Sequence, residues 1–324
     1  MSKSVTRQAN ANIALVKYWG KRGAASLNLP AVGSLSVTLD GLATTTTVSL
    51  DQSLTADVYV RAGRERPEEG RRASAFLDRL RDASGTKDFC RIETDNNFPT
   101  AAGLASSASG FAALTLAASE LFELGLDDRA LSQWARQGSG SAGRSIFGGF
   151  VLQHRGERED GEDCFAEQLR PASHWPLKVL VGVTDARQKA TGSSDGMRQT
   201  AESSPYFQAW QAGQPADLAA AREAIEARDF DALASITEQS CLKMHATAMA
   251  ANPGVIYWNA ATLELIEAVR DLRQKGHGAC FTIDAGPQVK VVCQPEAAAA
   301  ADDMLRAHPG VAEVISCDLR EEAS

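Results

Sequence analysis

A charge-free stretch made mainly of alanine, glycine and serine, residues 96–110, contains the residue types that bind phosphate. A strand-like run leads into it and a helical pattern leads out. The unpaired N–H groups and the dipole of a helix N-terminus favour an anion, and Gly103 lets a ligand approach the main chain. A core helix of small residues is the alternative, but the hydroxyls of Ser106, Ser107 and Ser109 would each need a partner there. We therefore predict a phosphate-binding loop.

A second glycine- and serine-rich turn lies at 138–149, after a predicted short helix at 131–136. Its glycines match Gly-x-Gly-x-x-Gly, but the dinucleotide-binding fingerprint follows a strand, and here a helix precedes it. Main-chain N–H groups together with the hydroxyls of Ser139 and Ser141 instead predict an anion-binding turn. Arg144 offers a planar fork suited to a carboxylate or a phosphate, with a surface ion pair as the alternative.

Two further places combine charge with the end of a strand. Lys17, Tyr18 and Lys21 follow the buried-strand pattern of 13–16 and place two cations and an aromatic ring at its end. Asp284 stands at the end of another apolar run, just before a Gly-Pro turn. Each has an ordinary structural explanation, because lysines at strand ends are usually solvated and aspartate is a common turn former. From the residue types alone, both interpretations stay open.

The elements that must position these residues follow from the hydrophobic pattern. Strand-like runs are predicted at 13–16, 34–39, 44–50, 57–60, 91–94, 149–153, 177–184, 280–284, 289–292 and 311–317. Helical spacing is predicted at 65–83, 105–124, 131–136, 216–227, 230–249, 258–275 and 295–307. Between these blocks the segment 185–197 is rich in turn formers and polar donors, so we predict a polar loop and a domain boundary there.

Composition limits the class of protein. The chain has 324 residues, 44% hydrophobic and 23% charged, which is ordinary for a two-domain globular protein. Its net charge of −8 argues against a general nucleic-acid binder, whereas a phosphorylated substrate stays compatible. No window reaches the ~18 apolar residues of a membrane helix, and the first residues lack a signal-peptide core. The six scattered cysteines lack metal spacing, as expected for reduced thiols in a cytoplasmic enzyme.

Five strings, in the expected order, resemble those of the diphosphomevalonate decarboxylases, a branch of the GHMP kinase superfamily. They are Asn-Ile-Ala-Leu-Val-Lys-Tyr-Trp-Gly-Lys-Arg at 12–22, Asn-Asn-Phe-Pro-Thr-Ala-Ala-Gly-Leu-Ala-Ser-Ser-Ala at 96–108, Gly-Ser-Gly-Ser-Ala-Gly-Arg-Ser-Ile-Phe-Gly-Gly at 138–149, Lys-Ala-Thr-Gly-Ser-Ser-Asp-Gly-Met at 189–197 and Phe-Thr-Ile-Asp-Ala-Gly-Pro at 281–287. The resemblance implies the α+β GHMP kinase fold. An N-terminal ribosomal-protein-S5-domain-2-like domain would span 1–185 and a C-terminal ferredoxin-like α/β-plait domain 186–324, with the site in the cleft between them.

The resemblance also implies an activity, the ATP-dependent decarboxylation of (R)-5-diphosphomevalonate to isopentenyl diphosphate, with ADP, phosphate and CO2. The reaction would proceed through phosphorylation of the 3-hydroxyl, with Mg2+ bridging the ATP phosphates, in a cytoplasmic homodimer. Asp284 would orient or deprotonate the 3-hydroxyl, Lys17 would stabilise charge on the migrating phosphoryl group, and Arg144 would hold the C1 carboxylate. Ser107 would contribute to catalysis by holding the ATP phosphates and the metal.

The remaining site residues implied by the resemblance divide between substrate and nucleotide. Those expected to bind substrate are Tyr18, Lys21, Ser139, Ser141, Arg144 and Ser193. Those expected to bind ATP are Pro99, Gly103, Leu104, Ala105, Ser106, Ser107, Ser109 and Lys189.

Three places depart from the family pattern. Gly143 stands where most relatives have cysteine, the segment 32–34 reads Val-Gly-Ser where the family usually has Asn-Ser-Ser, and Ser194 stands where some members have arginine. The last departure leaves open a phosphomevalonate decarboxylase or a mevalonate 3-kinase-type enzyme of the same fold. A non-catalytic phosphate-binding protein is a further alternative. His245, on a predicted helix, is either a proton carrier or a packed histidine.

Overall fold

The computed structural model describes residues 3–23, 27–98, 106–185 and 191–322. The strands within these ranges are β1 (Ser4–Val16), β2 (Ser34–Leu50), β3 (Val58–Arg61), β4 (Arg64–Glu65), β5 (Cys90–Asn96), β6 (Phe150–Gln153), β7 (Ala166–Arg170), β8 (Lys178–Val183), β9 (Ala279–Thr282), β10 (Val289–Cys293) and β11 (Glu313–Asp318). The helices are α1 (Pro67–Ser84), α2 (Ser106–Leu121), α3 (Asp128–Gly138), α4 (Ser193–Ser203), α5 (Phe207–Ala227), α6 (Phe230–Met249), α7 (Ala260–Gln274) and α8 (Ala298–Ala307).

The larger sheet is organised around the long strand β2. Its order is β4-β3-β5-β2-β6-β7, and β1 also pairs with β2 in the antiparallel sense. Threonines face one another across the strands: Thr6 and Thr47 hydroxyls lie 2.8 Å apart, and those of Thr46 and Thr94 2.9 Å apart. Such β-branched pairs suit a pleated sheet. Apolar side chains of α1 and α2 pack against β2 and β5 and form a core beneath them.

The smaller sheet has the order β11-β8-β10-β9, and every neighbouring pair is antiparallel. Counted along this part of the chain, the order is fourth, first, third, second. Helices α4 to α7 connect the first strand to the second, and α8 connects the third to the fourth. This is the β-α-β-β-α-β arrangement of a ferredoxin-like fold. The predicted α+β class, with a plait in the C-terminal part, is confirmed.

The pairing of strand β8 is relevant to the position of the domain boundary. It pairs with β10 and β11 of the smaller sheet, although the predicted boundary at 185 assigns it to the N-terminal domain. The last strand of the larger sheet, β7, ends at Arg170. We therefore propose that the boundary lies between residues 170 and 178.

One hydrophobic core joins the two sheets. Ile13 and Leu35 from the larger sheet, Val179 from the smaller sheet, Ile225 from α5 and Leu233 from α6 belong to the same buried cluster. Burial of apolar surface between layers is the main stabilising term in such an arrangement. The end of β1 therefore lies where both parts of the chain meet.

The structure differs from the predicted elements in β1, which begins at Ser4 rather than 13, in β7, which was not predicted, and in two helices. Helix α4 occupies part of the segment predicted as a polar loop, with Met197 and Thr200 on its buried face. Helix α5 begins at Phe207 rather than 216, because Pro215 lies inside it and interrupts the helical pattern in the sequence. Among the helices in the described ranges, none combines the length and the apolar character that a membrane span requires.

Candidate active site

A cavity of about 990 Å³ opens between the two parts of the chain and is lined by residues from both. Its wall includes predicted site residues from all five strings, which are Lys17, Tyr18, Lys21, Ser106, Ser107, Ser139, Ser141, Arg144, Ser193 and Asp284. Five other predicted residues lie outside the described ranges, namely Pro99, Gly103, Leu104, Ala105 and Lys189. The tertiary structure therefore brings together side chains that are as much as 267 positions apart in the sequence.

Asp284 lines this cavity and lies between two buried lysines. Its Oδ1 accepts a hydrogen bond from Lys17 Nζ at 2.6 Å, and Lys290 Nζ lies 3.6 Å from its Oδ2. The Asp284 side chain is 23% exposed, whereas the two lysines are 1% and 0% exposed. Burial raises the pKa of the Asp284 carboxyl, but the lysine charges and Arg144 outweigh it and lower this pKa to about 2. The carboxylate is therefore ionised at neutral pH.

Main-chain contacts fix the two partners of this ion pair. Asp284 follows β9, and the Gly286 N–H donates to the Asp284 carbonyl at 2.7 Å, which closes the turn. Lys17 follows β1; its N–H donates to Ser240 Oγ on α6 at 2.9 Å, and its carbonyl accepts from Gln214 Nε2 on α5. Because helices of the C-terminal part hold the end of β1, the main chain of Lys17 is fixed, and its side chain reaches Asp284.

Arg144 lies in a short 3-10 segment, Ala142–Ile146, and is 3% exposed. Its Nε donates to Asn12 Oδ1 at 3.1 Å and its Nη1 to Ser34 Oγ at 2.5 Å. Burial lowers the pKa of the Arg144 guanidinium to about 10, against the opposing effect of Asp284, so the group stays cationic at neutral pH. Ser34 belongs to the segment that departs from the family pattern, and its hydroxyl supplies a polar contact there.

Tyr18 presents a buried hydroxyl at the cavity wall. Among the described residues this hydroxyl has no hydrogen-bond partner. Burial raises the pKa of Tyr18 well above its ordinary value, so the hydroxyl remains a donor. A Cβ added to Gly140 would lie 2.2 Å from Tyr18 Oη, so a larger residue would displace the Tyr18 side chain. A buried hydroxyl without a protein partner is costly unless a ligand completes it.

Lys21 contacts Ser194, one of the residues that depart from the family pattern. Its Nζ donates to Asn28 Oδ1 at 2.7 Å and to Ser194 Oγ at 3.2 Å. Burial and the nearby charge of Arg72 lower the pKa of Lys21, and Asp195 opposes them. This cluster of cations and hydroxyls on the wall is suited to an anionic group.

The start of α2 reaches the same wall. Ser106 and Ser107 line the cavity, and Ser139 Oγ donates to Ser107 Oγ at 3.4 Å, so the two glycine- and serine-rich segments meet. Ser109 is placed differently from the prediction. Its side chain is fully buried and its hydroxyl lies 2.6 Å from Thr44 Oγ1, which ties α2 to β2 rather than facing the cavity.

The Gly-x-Gly-x-x-Gly segment follows α3 rather than a strand, as predicted, so it lacks the strand-to-helix setting of the dinucleotide-binding fingerprint. Close packing explains its glycines. A Cβ at Gly138 would lie 2.1 Å from the Phe111 ring, and one at Gly143 would lie 2.7 Å from the Ser132 carbonyl oxygen. Gly143 therefore fits this backbone where most relatives have cysteine.

His245 is a packed histidine rather than a solvent-accessible proton carrier. Its side chain is fully buried, and its Nε2 lies 3.1 Å from the Ile283 carbonyl oxygen. Burial lowers the pKa of His245 to about 3, so the ring is neutral at pH 7 and donates to that carbonyl. Its contact supports the residue next to Asp284.

Sequence reasoning missed three polar residues of the site. Asn12 bridges Arg144 and Ser145, whose Oγ accepts from Asn12 Nδ2 at 2.8 Å. Asn28 is the partner of Lys21 in the contact described above, and Lys290 is the second lysine beside Asp284. Lys290 is a single charged residue inside the otherwise apolar run of β10, a pattern that could have indicated it.

Comparison with known proteins agrees with this geometry. A family model described as diphosphomevalonate decarboxylase-like N-terminal domain matches residues 9–166, and one described as mevalonate 5-diphosphate decarboxylase C-terminal domain matches 179–318. The chain is 41% identical over 306 residues to the diphosphomevalonate decarboxylase of Aspergillus fumigatus, covering 88% of this chain and 76% of the relative. It is 40% identical over 310 residues to that of Homo sapiens, covering 89% and 76%.

Solved structures are similar over nearly the whole chain. MDDEF in complex with MVAPP, AMPPCP and magnesium superimposes with a TM-score of 0.93 at 38% identity, covering 100% of this chain and 99% of that chain. Mevalonate diphosphate decarboxylase from Staphylococcus aureus gives a TM-score of 0.94 at 35% identity, with 100% and 97% covered. Because the two family models and these relatives extend over both parts of the fold and all five strings, the chain belongs to the diphosphomevalonate decarboxylase family.

Proposed function

We propose that this chain catalyses the ATP-dependent decarboxylation of (R)-5-diphosphomevalonate to isopentenyl diphosphate, ADP, phosphate and CO2. The observation that carries the proposal is the Lys17–Asp284 pair, 2.6 Å apart, on the wall of the same cavity as Ser107 at the start of α2. A helix N-terminus suits the phosphates of ATP, and a carboxylate suits the substrate hydroxyl. Both partners of a phosphoryl transfer therefore fit one space.

The residues present fit ATP with Mg2+, and the similar structure MDDEF was solved with AMPPCP and magnesium. The first-turn N–H groups of α2 and the hydroxyls of Ser106 and Ser107 are donors suited to phosphate oxygens. Mg2+ is commonly held by phosphate oxygens, water and few protein oxygens, so Ser107 is the protein ligand that we propose. ATP with Mg2+ supplies the phosphoryl group that makes the tertiary hydroxyl a good leaving group.

Asp284 orients the 3-hydroxyl in this proposal. Its Oδ2 is buried on the Lys290 side, so Oδ1 is the oxygen that the hydroxyl can reach. A carboxylate with a pKa of about 2 is a weak base, so it accepts a hydrogen bond and takes the proton only as the P–O bond forms. A loose phosphoryl-transfer transition state requires positioning more than base strength. Lys17 stabilises the negative charge of the transferring group.

Arg144 holds the C1 carboxylate while the carbon skeleton reacts. Its guanidinium is cationic at neutral pH and is anchored by Asn12 and Ser34, which leaves its orientation fixed. The C3–O bond breaks as phosphate leaves, the electron pair of the C1–C2 bond becomes the second bond between C2 and C3, and C1 departs as CO2. The electrons balance without a redox cofactor.

We propose that the substrate diphosphate binds the cluster of cations and hydroxyls around Lys21. We propose Lys21 and Tyr18 as its donors from the end of β1, with Ser139, Ser141 and Ser193 as hydroxyl donors. The buried Tyr18 hydroxyl, which has no partner among the described residues, supports this assignment.

The second candidate is a phosphomevalonate decarboxylase, and the Lys21–Ser194 contact at 3.2 Å favours it, because serine replaces the arginine of some relatives. The decisive experiment measures CO2, ADP and phosphate with mevalonate, its monophosphate and its diphosphate. We expect equal amounts of all three products from the diphosphate. Faster CO2 release from the monophosphate would favour the second candidate. ADP without CO2 would indicate a 3-kinase, and the absence of substrate-dependent ADP release would indicate a binding protein.

We also propose that the enzyme acts in the cytoplasm as a homodimer. The six cysteines are buried and unpaired, which supports a reducing compartment. The dimer is expected from the family alone. Light scattering coupled to size-exclusion chromatography measures the mass directly, and a monomeric mass at working concentration would contradict the dimer.

A further inference from the structure

Lys290 is a charged side chain enclosed by the smaller sheet. It lies within β10, opposite Val181 of β8 on one side and Thr282 of β9 on the other. The side chain is 0% exposed, and its Nζ lies 3.6 Å from Asp284 Oδ2. A buried lysine requires a counter-charge, because desolvation strongly disfavours an isolated ammonium. Asp284 is a carboxylate within reach of it.

Lys17 contacts the other oxygen of the same carboxylate from a different side. Lys17 follows the end of β1. Among the described residues, Lys17 and Asp284 both line the cavity, whereas Lys290 does not. Lys17 therefore faces the space where substrate binds, and Lys290 lies behind the carboxylate. Two cations at different depths hold one anion.

We propose that Lys290 is a positioning residue that keeps Asp284 ionised and in place while Lys17 stabilises the charge of the migrating phosphoryl group. This inference rests on the proposed roles of Asp284 and Lys17. An arriving phosphoryl group competes with Asp284 for the Lys17 ammonium, since both are anionic. Lys290 is anchored between two strands and cannot follow, so it remains the partner of the carboxylate during transfer.

The charged surroundings of Asp284 support this division of roles. Among the described residues, the titratable groups around Asp284 are Lys17 after β1, Arg144 in the 3-10 segment, Cys241 and His245 on α6, and Lys290 on β10. Burial raises the pKa of Cys241 to about 11 and lowers that of His245 to about 3, so both are neutral at pH 7. Burial also lowers the pKa of Lys290, and Asp284 opposes that effect. If Lys17 turns toward a phosphoryl group and Arg144 binds a substrate carboxylate, Lys290 is the cation of this described group that remains beside Asp284.

The test compares Lys290→Met and Lys290→Arg with the wild type in full-length enzyme, using ADP release with diphosphomevalonate across acidic and neutral pH. Lys178→Met is the matched control, because Lys178 lies on the adjacent strand and pairs with Asp318 at 2.5 Å. We expect Lys290→Met to move the acidic limb of kcat upward by about one to three pH units, the effect of one nearby opposite charge on a carboxyl. KM should change less, Lys290→Arg should restore the profile, and the control should leave it unchanged.

A folded Lys290→Met variant with the wild-type pH profile, or with the same loss of kcat at every pH, would overturn the proposal. If that variant is too unstable for kinetic measurements, its midpoint of thermal unfolding tests the proposal instead. Lys290→Met should lower the midpoint less in an Asp284→Asn background than in the wild type, because the carboxylate that it counters is gone. Equal lowering in both backgrounds would overturn the pairing. This measurement needs no turnover, so it separates the positioning role from the proposed reaction.

Discussion

Replacing Asp284 with asparagine tests the centre of the site, because the change preserves size while it removes the charge and exchanges one acceptor oxygen for an amide donor. Removing a positioned acid–base group typically lowers turnover by about 10²–10⁴-fold. We expect ADP and CO2 release to fall within this range, while ATP binding persists, because the ATP contacts proposed at the start of α2 are untouched.

The same change should also destabilise the fold. It leaves the buried ammonium groups of Lys17 and Lys290, 1% and 0% exposed, without their shared carboxylate. Removing one partner of a buried pair costs about 3–5 kcal/mol. We expect the lower end, because Asp284 is 23% exposed and a lysine can release its proton. Such a loss corresponds to a fall in Tm of roughly 5–10 °C.

The pH dependence of this loss has a definite sign. Since the folded pKa of Asp284, about 2, lies below its ordinary 3.8, the carboxylate stabilises the fold above about pH 4 and loses this effect as pH falls toward 2. The difference in Tm between wild type and Asp284→Asn should therefore shrink in acid. Asp318→Asn, which removes a 67% exposed carboxylate paired with Lys178, is the control and should change neither rate nor Tm. Near-normal turnover together with an unchanged Tm would refute the reasoning.

Three further perturbations address other parts of the molecule. The folded pKa of His245, about 3, lies below its ordinary 6.5, so stability should decline as pH falls from 6.5 toward 3. Urea unfolding at neutral pH and at about pH 5 measures this decline, which should be smaller in His245→Gln; an equal decline would contradict it. Gly140→Ala places a Cβ 2.2 Å from Tyr18 Oη, so KM for diphosphomevalonate should rise about tenfold, the effect of one lost hydrogen bond. Gly213→Ala, with nothing within 4 Å, should leave KM unchanged, and equal KM values for both variants would argue against the Tyr18 contact. Arg144→Lys keeps the charge but loses the fork, so kcat/KM should fall about 10–100-fold; full activity would exclude a forked contact.

Much of the fold could be predicted from local patterns. Alternating or continuous apolar runs indicated strands such as Phe150–Gln153 and Lys178–Val183, and helical spacing indicated Phe230–Met249 within a residue of its observed bounds. The predictions failed where local signals conflict with packing. The first turns of α5 were not predicted because Pro215 interrupts the helical pattern. Helix α4 was not predicted because its sequence is polar and rich in turn formers, although Met197 lies on a buried face.

The amino-acid sequence by itself determined the residue types of the site and the family to which they belong. The glycine- and serine-rich strings, the lysines after a strand and the aspartate before Gly-Pro are local features, and local chemistry limits what each can bind. Only the tertiary structure decided which of them meet. Lys17 and Asp284 are 267 positions apart, and Lys290 reaches the same carboxylate from a separate strand of the smaller sheet. Sheet register and the packing of α5 and α6 set these distances, and the strength of a charge–charge contact depends on distance and burial, which residue types alone do not specify.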